Sequence, residues 1–420
     1  MTGAIHLKRE IGLFGATALG IGAIIGSGIF IVTGIVAGIA GPAMVLSIIL
    51  AGAIALLSAM SVAELSRCMP VEGGTYAFAR DLLSPYAGFI AGWIWIFSNI
   101  FVGAAVSLGF AEYFVTFFPG LPVKLVAVSI CAIFIFINYI GLKESAHLNN
   151  LLVSIKVVIL LFFIGYGFGF FRTGNLMPFA PSGPTGILAG AALIFFAYTG
   201  FARVTIIAEE VHEPELTIPR SIYLALGIST VIYILVSFTA AGLAGTPALA
   251  ASASPLSAAI AATGNSGAVT LVSLGAMVAT ASVLLTTILG ISRIIFAMGR
   301  THDLPPFLSR LHPRYHTPQY AIGITGALMI AMLLLTDLTL VVSVGTFAML
   351  VYYGIANIAA FKIPRPKKRY PPVVACLGGA SCVLLMVFLS PVSVAIGIAG
   401  ILLGSGYFIL RATRDPSRVS

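Results

Sequence analysis

Lys156 is a lone cation inside a long apolar run, NNLLVSIKVVILLFFIGY. It lies about nine residues from the predicted start of that run, too deep for its side chain to reach water easily. An ammonium group in hydrocarbon is costly, and such residues usually face the interior of a helical bundle and mark ion or proton paths. Lys156 is therefore a candidate for proton coupling. The alternative is a charged or neutral lysine that acts only as a structural tether.

Two other apolar runs are interrupted by glycine. GIGAIIGSGIF brings Gly20, Gly22, Gly26 and Gly28 together, and FFAYTGFARV is centred on Gly200. Hydrophobic helices interrupted at corresponding positions of two halves are typical of inverted-repeat transporters, which hold the substrate between them. Because glycine is also frequent where membrane helices pack closely, a packing role for either run stays open.

An interrupted helix leaves peptide groups that need partners, because unsatisfied N–H and C=O groups are costly in lipid. N–H groups at the first break, with the positive end of the following half-helix, suit a carboxylate, and carbonyl groups at both breaks suit an ammonium group. The two runs therefore predict a site for a zwitterionic amino acid. The candidate substrate-binding residues are Ile24, Gly26, Ser27, Gly28, Phe196, Ala197, Tyr198, Gly200 and Phe201.

Arg203 follows the second break, and a group of glutamates that includes Glu209 and Glu210 comes shortly after it. A guanidinium does not deprotonate in proteins. We expect Arg203 to face water on the cytoplasmic side and to pair with Glu209 or Glu210 as part of a gate. The alternative is that Arg203 attracts an anionic group on the substrate.

The elements that position these residues follow from composition. Apolar residues make up 59% of the 420 residues, charged residues 8%, and the mean hydropathy is +1.09. A soluble domain carries about 25% charged residues, and an outer-membrane barrel has only short segments of weakly alternating hydrophobicity. The sequence therefore predicts an all-α membrane protein and excludes a soluble enzyme.

A membrane-spanning helix needs about 20 apolar residues. The apolar runs and their breakers predict twelve spans, near 11–39, 43–65, 85–118, 122–141, 147–171, 184–210, 220–244, 267–299, 319–336, 338–361, 372–389 and 391–411. Residues 1–420 form a single transmembrane domain in this prediction, and segment 245–266 contributes a short surface helix on the outside.

The basic residues orient these spans. With the N-terminus inside, eighteen of the 22 Lys and Arg residues fall on the cytoplasmic side, and Lys124 and Arg172 fall outside. This bias is the positive-inside pattern, so the net charge of +9 indicates topology and not a nucleic-acid partner. An even number of spans places both termini in the cytoplasm.

No catalytic motif is present in the sequence: HExxH, GxSxG and the Walker motif are all absent. The four cysteines form no CxxC pair, and the six histidines fall in predicted cytoplasmic segments or at the ends of spans. We expect no enzyme activity, no cofactor and no metal. The sequence leaves the oligomeric state open.

Four long motifs, in order, resemble the amino acid permeases of the amino acid–polyamine–organocation superfamily. GIGAIIGSGIF is similar to the family's first span, and AELSRCMPVEGGTYAFARDLLSPYAGFIAGW to the loop between spans 2 and 3. FFAYTGFARVTIIAEEVHEPELTIPRSI resembles span 6 and its following loop, and GRTHDLPPFLSRLHPRYHTPQYAI the loop after span 8. The resemblance covers essentially the whole chain.

The resemblance implies a LeuT-like fold, with repeats 11–171 and 184–361, unwound helices 1 and 6, and two extra helices in 372–411. It places Lys156 beside the Gly22 carbonyl and Ser282, where sodium-coupled relatives hold a cation. We therefore expect a secondary transporter in the cytoplasmic membrane for an amino acid or small amine, driven by protons through Lys156. The alternatives are an amino acid or amine exchanger and a non-transporting, substrate-sensing receptor.

Overall fold

The computed structural model describes residues 11–69, 73–141, 146–364, 366 and 368–414, without the side chains of residues 146–149, 206–210 and 414. Secondary structure in this part of the chain is helical, apart from one isolated bridge between Ile11 and Val211. The α-helices are α1 (Leu13–Ile24), α2 (Ser27–Ala40), α3 (Met44–Cys68), α4 (Thr75–Leu82), α5 (Pro85–Val115), α6 (Val123–Tyr139), α7 (Ala146–Phe168), α8 (Gly183–Ile194), α9 (Pro214–Ala244), α10 (Thr246–Ala250), α11 (Pro255–Ala261), α12 (Ser266–Arg300), α13 (Gln319–Leu335), α14 (Leu338–Lys362), α15 (Pro372–Val387) and α16 (Pro391–Arg414).

The described helices confirm an all-α membrane protein. Eight helical segments in these ranges are long and apolar enough to cross a bilayer, and the first of them, Leu13–Cys68, runs through α1, α2 and α3. Three shorter apolar helices, α6, α13 and α15, have between 10 and 17 residues. The protein is therefore a multi-pass membrane protein, and the count of twelve crossings stays a prediction.

Several long helices begin at a polar side chain that satisfies a free N–H group. The Ser84 hydroxyl accepts from Ala87 N at 3.1 Å at the start of α5. Asn265 Oδ1 accepts from Ala268 N at 3.2 Å at α12, and Asp337 Oδ1 from Leu340 N at 2.8 Å at α14. Such caps stabilise a helix by about 1 kcal/mol each, so these polar residues define where the helices start.

Helix α5 lies at the centre of the described bundle. It packs against α12 and α14, while α9 packs against α1 and α3, and α8 against α2 and α3. Small residues such as Gly103, Ala104 and Ala105 occur along α5 and let neighbouring helices approach closely. A buried binding site is therefore expected in the interior around α5.

The two interrupted runs differ in structure. The first is discontinuous, because α1 ends at Ile24, α2 begins at Ser27, and only Ile25 and Gly26 lie between them. The second is not an open break: α8 passes directly into a 3-10 helix, Phe195–Glu210. The prediction that this run unwinds is therefore wrong in detail, because its backbone keeps helical hydrogen bonds in a tighter form. Long 3-10 helices are uncommon and often mark a functional hinge.

Segment 245–266 also differs from its prediction. It holds two short helices, α10 and α11, and not one surface helix. Leu249 and Leu256 are fully buried, because α10 packs against α2, and α11 against α9 and α12. This segment covers the predicted outer end of the bundle, where Tyr113 Oη donates to Phe30 O at 2.6 Å.

Candidate functional site

A small cavity lies where α1, α2 and the 3-10 helix meet. The water-accessible volume of this cavity is about 30 Å³. Among the predicted substrate-binding residues, those that line it are Ile24, Gly26, Ser27, Gly28, Phe196, Ala197 and Gly200. Residues about 170 positions apart in sequence therefore form one wall.

The glycines allow the two backbones to approach each other. A Cβ atom on Gly28 would lie 2.5 Å from Ala197 Cα, and one on Gly26 would lie 2.5 Å from Val283 Cγ2. A Cβ atom on Gly200 would collide with the carbonyl group of Ala23. Contact between helices is thus one established reason for these glycines, and it is compatible with ligand binding at the same place.

Free N–H groups face this cavity at the start of α2. Gly26 occupies the N-cap position and has no side chain that could accept a hydrogen bond. The first N–H groups of an α-helix have no partner within the helix, and their positive dipole end favours an anion. Ser27 and Gly28 carry such groups and line the cavity. The geometry suits a carboxylate.

The carbonyl groups predicted to receive an ammonium already have protein partners. Tyr233 Oη lies 2.6 Å from Ile24 O, at the end of α1, and 3.1 Å from Ala197 O, near the start of the 3-10 helix. Its hydroxyl proton is therefore shared between these two segments. Thr199 Oγ1 donates to Phe196 O at 2.9 Å. Ile24 O also accepts from Gly26 N at 2.8 Å, so a ligand ammonium at this oxygen would have to share it with, or displace, these donors. Tyr233 was not identified from the sequence, where it is one of several aromatic residues in apolar spans.

Three further helices complete the cavity. Trp95 and Asn99 contribute from α5, Val283 from α12, and Met349 and Tyr353 from α14. The sequence predicts that such spans face the substrate but does not single out these residues. Trp95 and Asn99 are four positions apart, so they lie on one face of α5. Because nearly all residues of α5 are apolar, this spacing does not distinguish the face that lines the cavity from the other faces.

Two predicted cavity walls lie elsewhere. Tyr198 is fully buried, its hydroxyl donates to Ile48 O at 3.2 Å, and its ring packs edge-on against Tyr233. Phe201 lies behind the cavity wall and stacks on Tyr353, with ring centroids 4.7 Å apart. The direction of a side chain around a 3-10 helix places both residues outside the cavity lining, where they pack against other helices, and their part in substrate binding stays a prediction.

Lys156 is buried next to the break in the first span. Its ammonium Nζ donates to Gly22 O at 3.1 Å and to Ser282 Oγ at 2.9 Å. The side chain is 1% exposed, which keeps its charge away from lipid and from bulk water. The structure thus brings together α1, α7 and α12 at one cation, and the part that these three residues take in proton coupling stays a prediction.

Arg203 reaches from the 3-10 helix to α12. It lines the cavity, where Nη1 donates to Thr286 Oγ1 at 2.8 Å and Nη2 to Thr287 Oγ1 at 2.9 Å. The guanidinium therefore contacts α12, because the helical turn after Gly200 directs Arg203 inward, and its expected pairing with Glu209 or Glu210 in a gate stays a prediction. The side chains of Glu209 and Glu210 lie outside the described residues.

A second, smaller cavity of about 10 Å³ shares the walls Trp95 and Tyr352 with the first and is also lined by Tyr76. Tyr76 Oη donates to Asp303 Oδ2 at 2.6 Å. Burial, and then the bond to Asp303, raise the pKa of Tyr76, which lies in α4 outside the spans. Its phenol therefore stays neutral and keeps its donor role. Asp303 is also paired with Arg80 at 3.0 Å and Arg411 at 2.6 Å.

Comparison with known proteins agrees with this architecture. The family described as "Amino acid permease" matches residues 11–408. The chain is 33% identical to the branched-chain amino acid permease BcaP of Bacillus subtilis, over 97% of this chain and 94% of the relative. It is 35% identical to an uncharacterized transporter of Mycobacterium tuberculosis, over 94% and 89% of the two chains. It is 32% identical to a methylthioribose transporter of B. subtilis, over 90% and 88%.

Proposed function

Because this chain belongs to the amino acid permease family, within the amino acid–polyamine–organocation superfamily, we propose that it is a secondary active transporter. It moves an amino acid, or a similar small amine, across the cell membrane by alternating access. The observation that carries the proposal is the break between α1 and α2, which faces the 3-10 helix across a cavity. Irregular backbone at membrane depth is tolerated where it lines such a cavity.

The proposed architecture has twelve spans in a LeuT-like arrangement, with repeats 11–171 and 184–361 and two further helices in 372–411. Two packing relationships support it. The first span contacts the sixth, as α1 against the 3-10 helix, and the third contacts the eighth, as α5 against α12. Partners five spans apart are what two five-helix repeats would place together.

The substrate in this proposal lies across the two interrupted spans. Its α-carboxylate accepts hydrogen bonds from the N–H groups of Ser27 and Gly28, where the helix dipole is positive. Its ammonium group donates to carbonyls near Ile24 and Ala197, which share the Tyr233 hydroxyl. The side chain of the substrate then faces α5, α12 and α14.

Protons drive transport through Lys156. The ammonium bridges Gly22 O on α1 and Ser282 Oγ on α12, so loss of its proton replaces two charge-assisted hydrogen bonds by weaker neutral ones between helices that must separate for alternating access. An ionisable group inside a membrane bundle commonly serves as such a relay. Both termini lie in the cytoplasm in this proposal, which the positive-inside pattern supports.

Proteoliposomes that contain the purified protein test this function. We expect radiolabelled amino acid to accumulate when the outside is acidic, and a protonophore to abolish that accumulation. Empty liposomes serve as the control. Uptake that requires amino acid preloaded inside the vesicle would identify an exchanger, and binding without flux a receptor. Absence of both binding and flux for every amino acid and amine tested would refute the proposal.

A further inference from the structure

Arg203 places a fixed positive charge on the wall of the cavity. Its Nη1 and Nη2 atoms donate to Thr286 and Thr287, two neutral hydroxyl groups on α12. The side chain is partly buried and lines the same cavity as Ser27 and Gly28. The threonine contacts hold the guanidinium in position but do not neutralise it.

The cavity lining contains no aspartate or glutamate among the residues that the structure describes. The ion pairs found in the same ranges join Asp303 to Arg80 and Arg411, and none involves Arg203. A buried or partly buried charge is normally paired, because removal of a charge from water is expensive. The positive charge of Arg203 therefore favours binding of an anion in this cavity.

The hydrogen-bonding capacity of Arg203 points the same way. A guanidinium has five N–H donors, and the two threonines take two of them. The Thr286 hydroxyl lies 3.2 Å from Ser282 O and 3.1 Å from Val283 O on its own helix, which directs its proton there and leaves its lone pair for Arg203. The remaining donors can bind a carboxylate in the two-point geometry that arginine favours.

We propose that Arg203 binds a carboxylate on the substrate's side chain, so that this protein takes acidic amino acids. The inference rests on the proposed function, in which the N–H groups of Ser27 and Gly28 already bind the α-carboxylate. A second carboxylate, on the side chain, is then the group that pairs with Arg203. The same charge disfavours amino acids with cationic side chains, since Lys156 adds a second positive charge beside the break in the first span.

The test measures binding of L-glutamate and L-aspartate, and of their neutral isosteres L-glutamine and L-asparagine, to the purified full-length protein by calorimetry. We expect the natural protein to bind at least one acidic amino acid about tenfold or more tightly than its amide. Arg203→Gln should weaken binding of that acidic amino acid by about 10- to 100-fold and leave binding of the amide nearly unchanged. Arg172→Gln, at an exposed position, is the matched control and should change neither affinity.

Three outcomes would overturn the assignment. The natural protein could prefer the amides, a comparison that needs no variant and therefore holds even if Arg203→Gln does not fold. Arg203→Gln could weaken the acid and the amide equally, which would place Arg203 at the α-carboxylate or in a structural role. Finally, neutral amino acids could bind and be transported while acidic ones are not, in which case the proposed function stands and only this specificity fails.

Discussion

The hydroxyl group of Tyr233 lies 2.6 Å from the carbonyl oxygen of Ile24, the last residue of α1. Tyr233 belongs to α9 and is fully buried. The same hydroxyl lies 3.1 Å from Ala197 O, so one side chain holds the end of α1 and the start of the 3-10 helix together. Because this buried hydroxyl donates to carbonyl oxygens of both segments, Tyr233 stabilises the geometry of the candidate site.

Replacement of Tyr233 by phenylalanine removes that hydroxyl and keeps the ring. We expect Tyr233→Phe to cost about 1 kcal/mol, because Ile24 O and Ala197 O lose the donor that they share while Ile24 O keeps Gly26 N at 2.8 Å. The variant should show a lower melting temperature in detergent and weaker substrate binding. Tyr198→Phe is the control, since the Tyr198 hydroxyl is also buried but donates to Ile48 O, away from the break. Equal loss of substrate affinity in both variants would contradict a specific role for Tyr233.

Lys156→Ala tests proton coupling. The substitution removes the ammonium that joins Gly22 O and Ser282 Oγ. We expect uptake into proteoliposomes to lose its dependence on external pH while the protein remains folded, as judged by size-exclusion chromatography. Lys124→Ala, at an exposed position on the predicted outer side, should retain the pH dependence of the natural protein. An unchanged pH profile in Lys156→Ala would count against coupling through this residue.

Gly200→Ala tests the close approach of the two interrupted runs. A Cβ atom at this position meets the carbonyl group of Ala23, and neither backbone can move freely. We expect a loss of about 1–3 kcal/mol, measured as a lower melting temperature. Gly227→Ala in α9 has open space around it and should be neutral, or more stable by up to about 1 kcal/mol. Similar melting temperatures for both variants would mean that the packing at Gly200 is looser than described.

Asp303→Asn tests the charge cluster next to the second cavity. Asp303 accepts from Arg80 and Arg411, and its side chain is 4% exposed, so removal of its charge takes an ion-pair partner from both arginines. The expected loss is about 1–3 kcal/mol, read from thermal unfolding, because water partly screens both arginines. Asp337→Asn provides a matched control, because asparagine caps a helix as well as aspartate does and α14 should keep its N-cap. If the two variants melt alike, the cluster contributes little to stability.

Local properties of the sequence were sufficient for part of this picture. The break at Gly26 follows from the crowding of glycines in one run, and the burial of Lys156 from its depth in an apolar segment. Both features depend on residues close together in the chain. The all-helical membrane class follows from composition alone, because a chain with so few charged residues must satisfy its backbone inside lipid.

The tertiary structure decided which side chains reach the cavity. Helices that are apolar on every face carry no periodic pattern that identifies the face turned inward, and Trp95 and Tyr233 could therefore not be distinguished from packing residues. The direction of Arg203 depends on contacts with Thr286 and Thr287, more than 80 residues away in sequence. The sequence determines the depth at which a residue lies in the membrane. The hydrogen-bond partner of that residue is determined by the packing of helices that are distant in sequence, because only this packing brings their polar atoms within hydrogen-bonding distance.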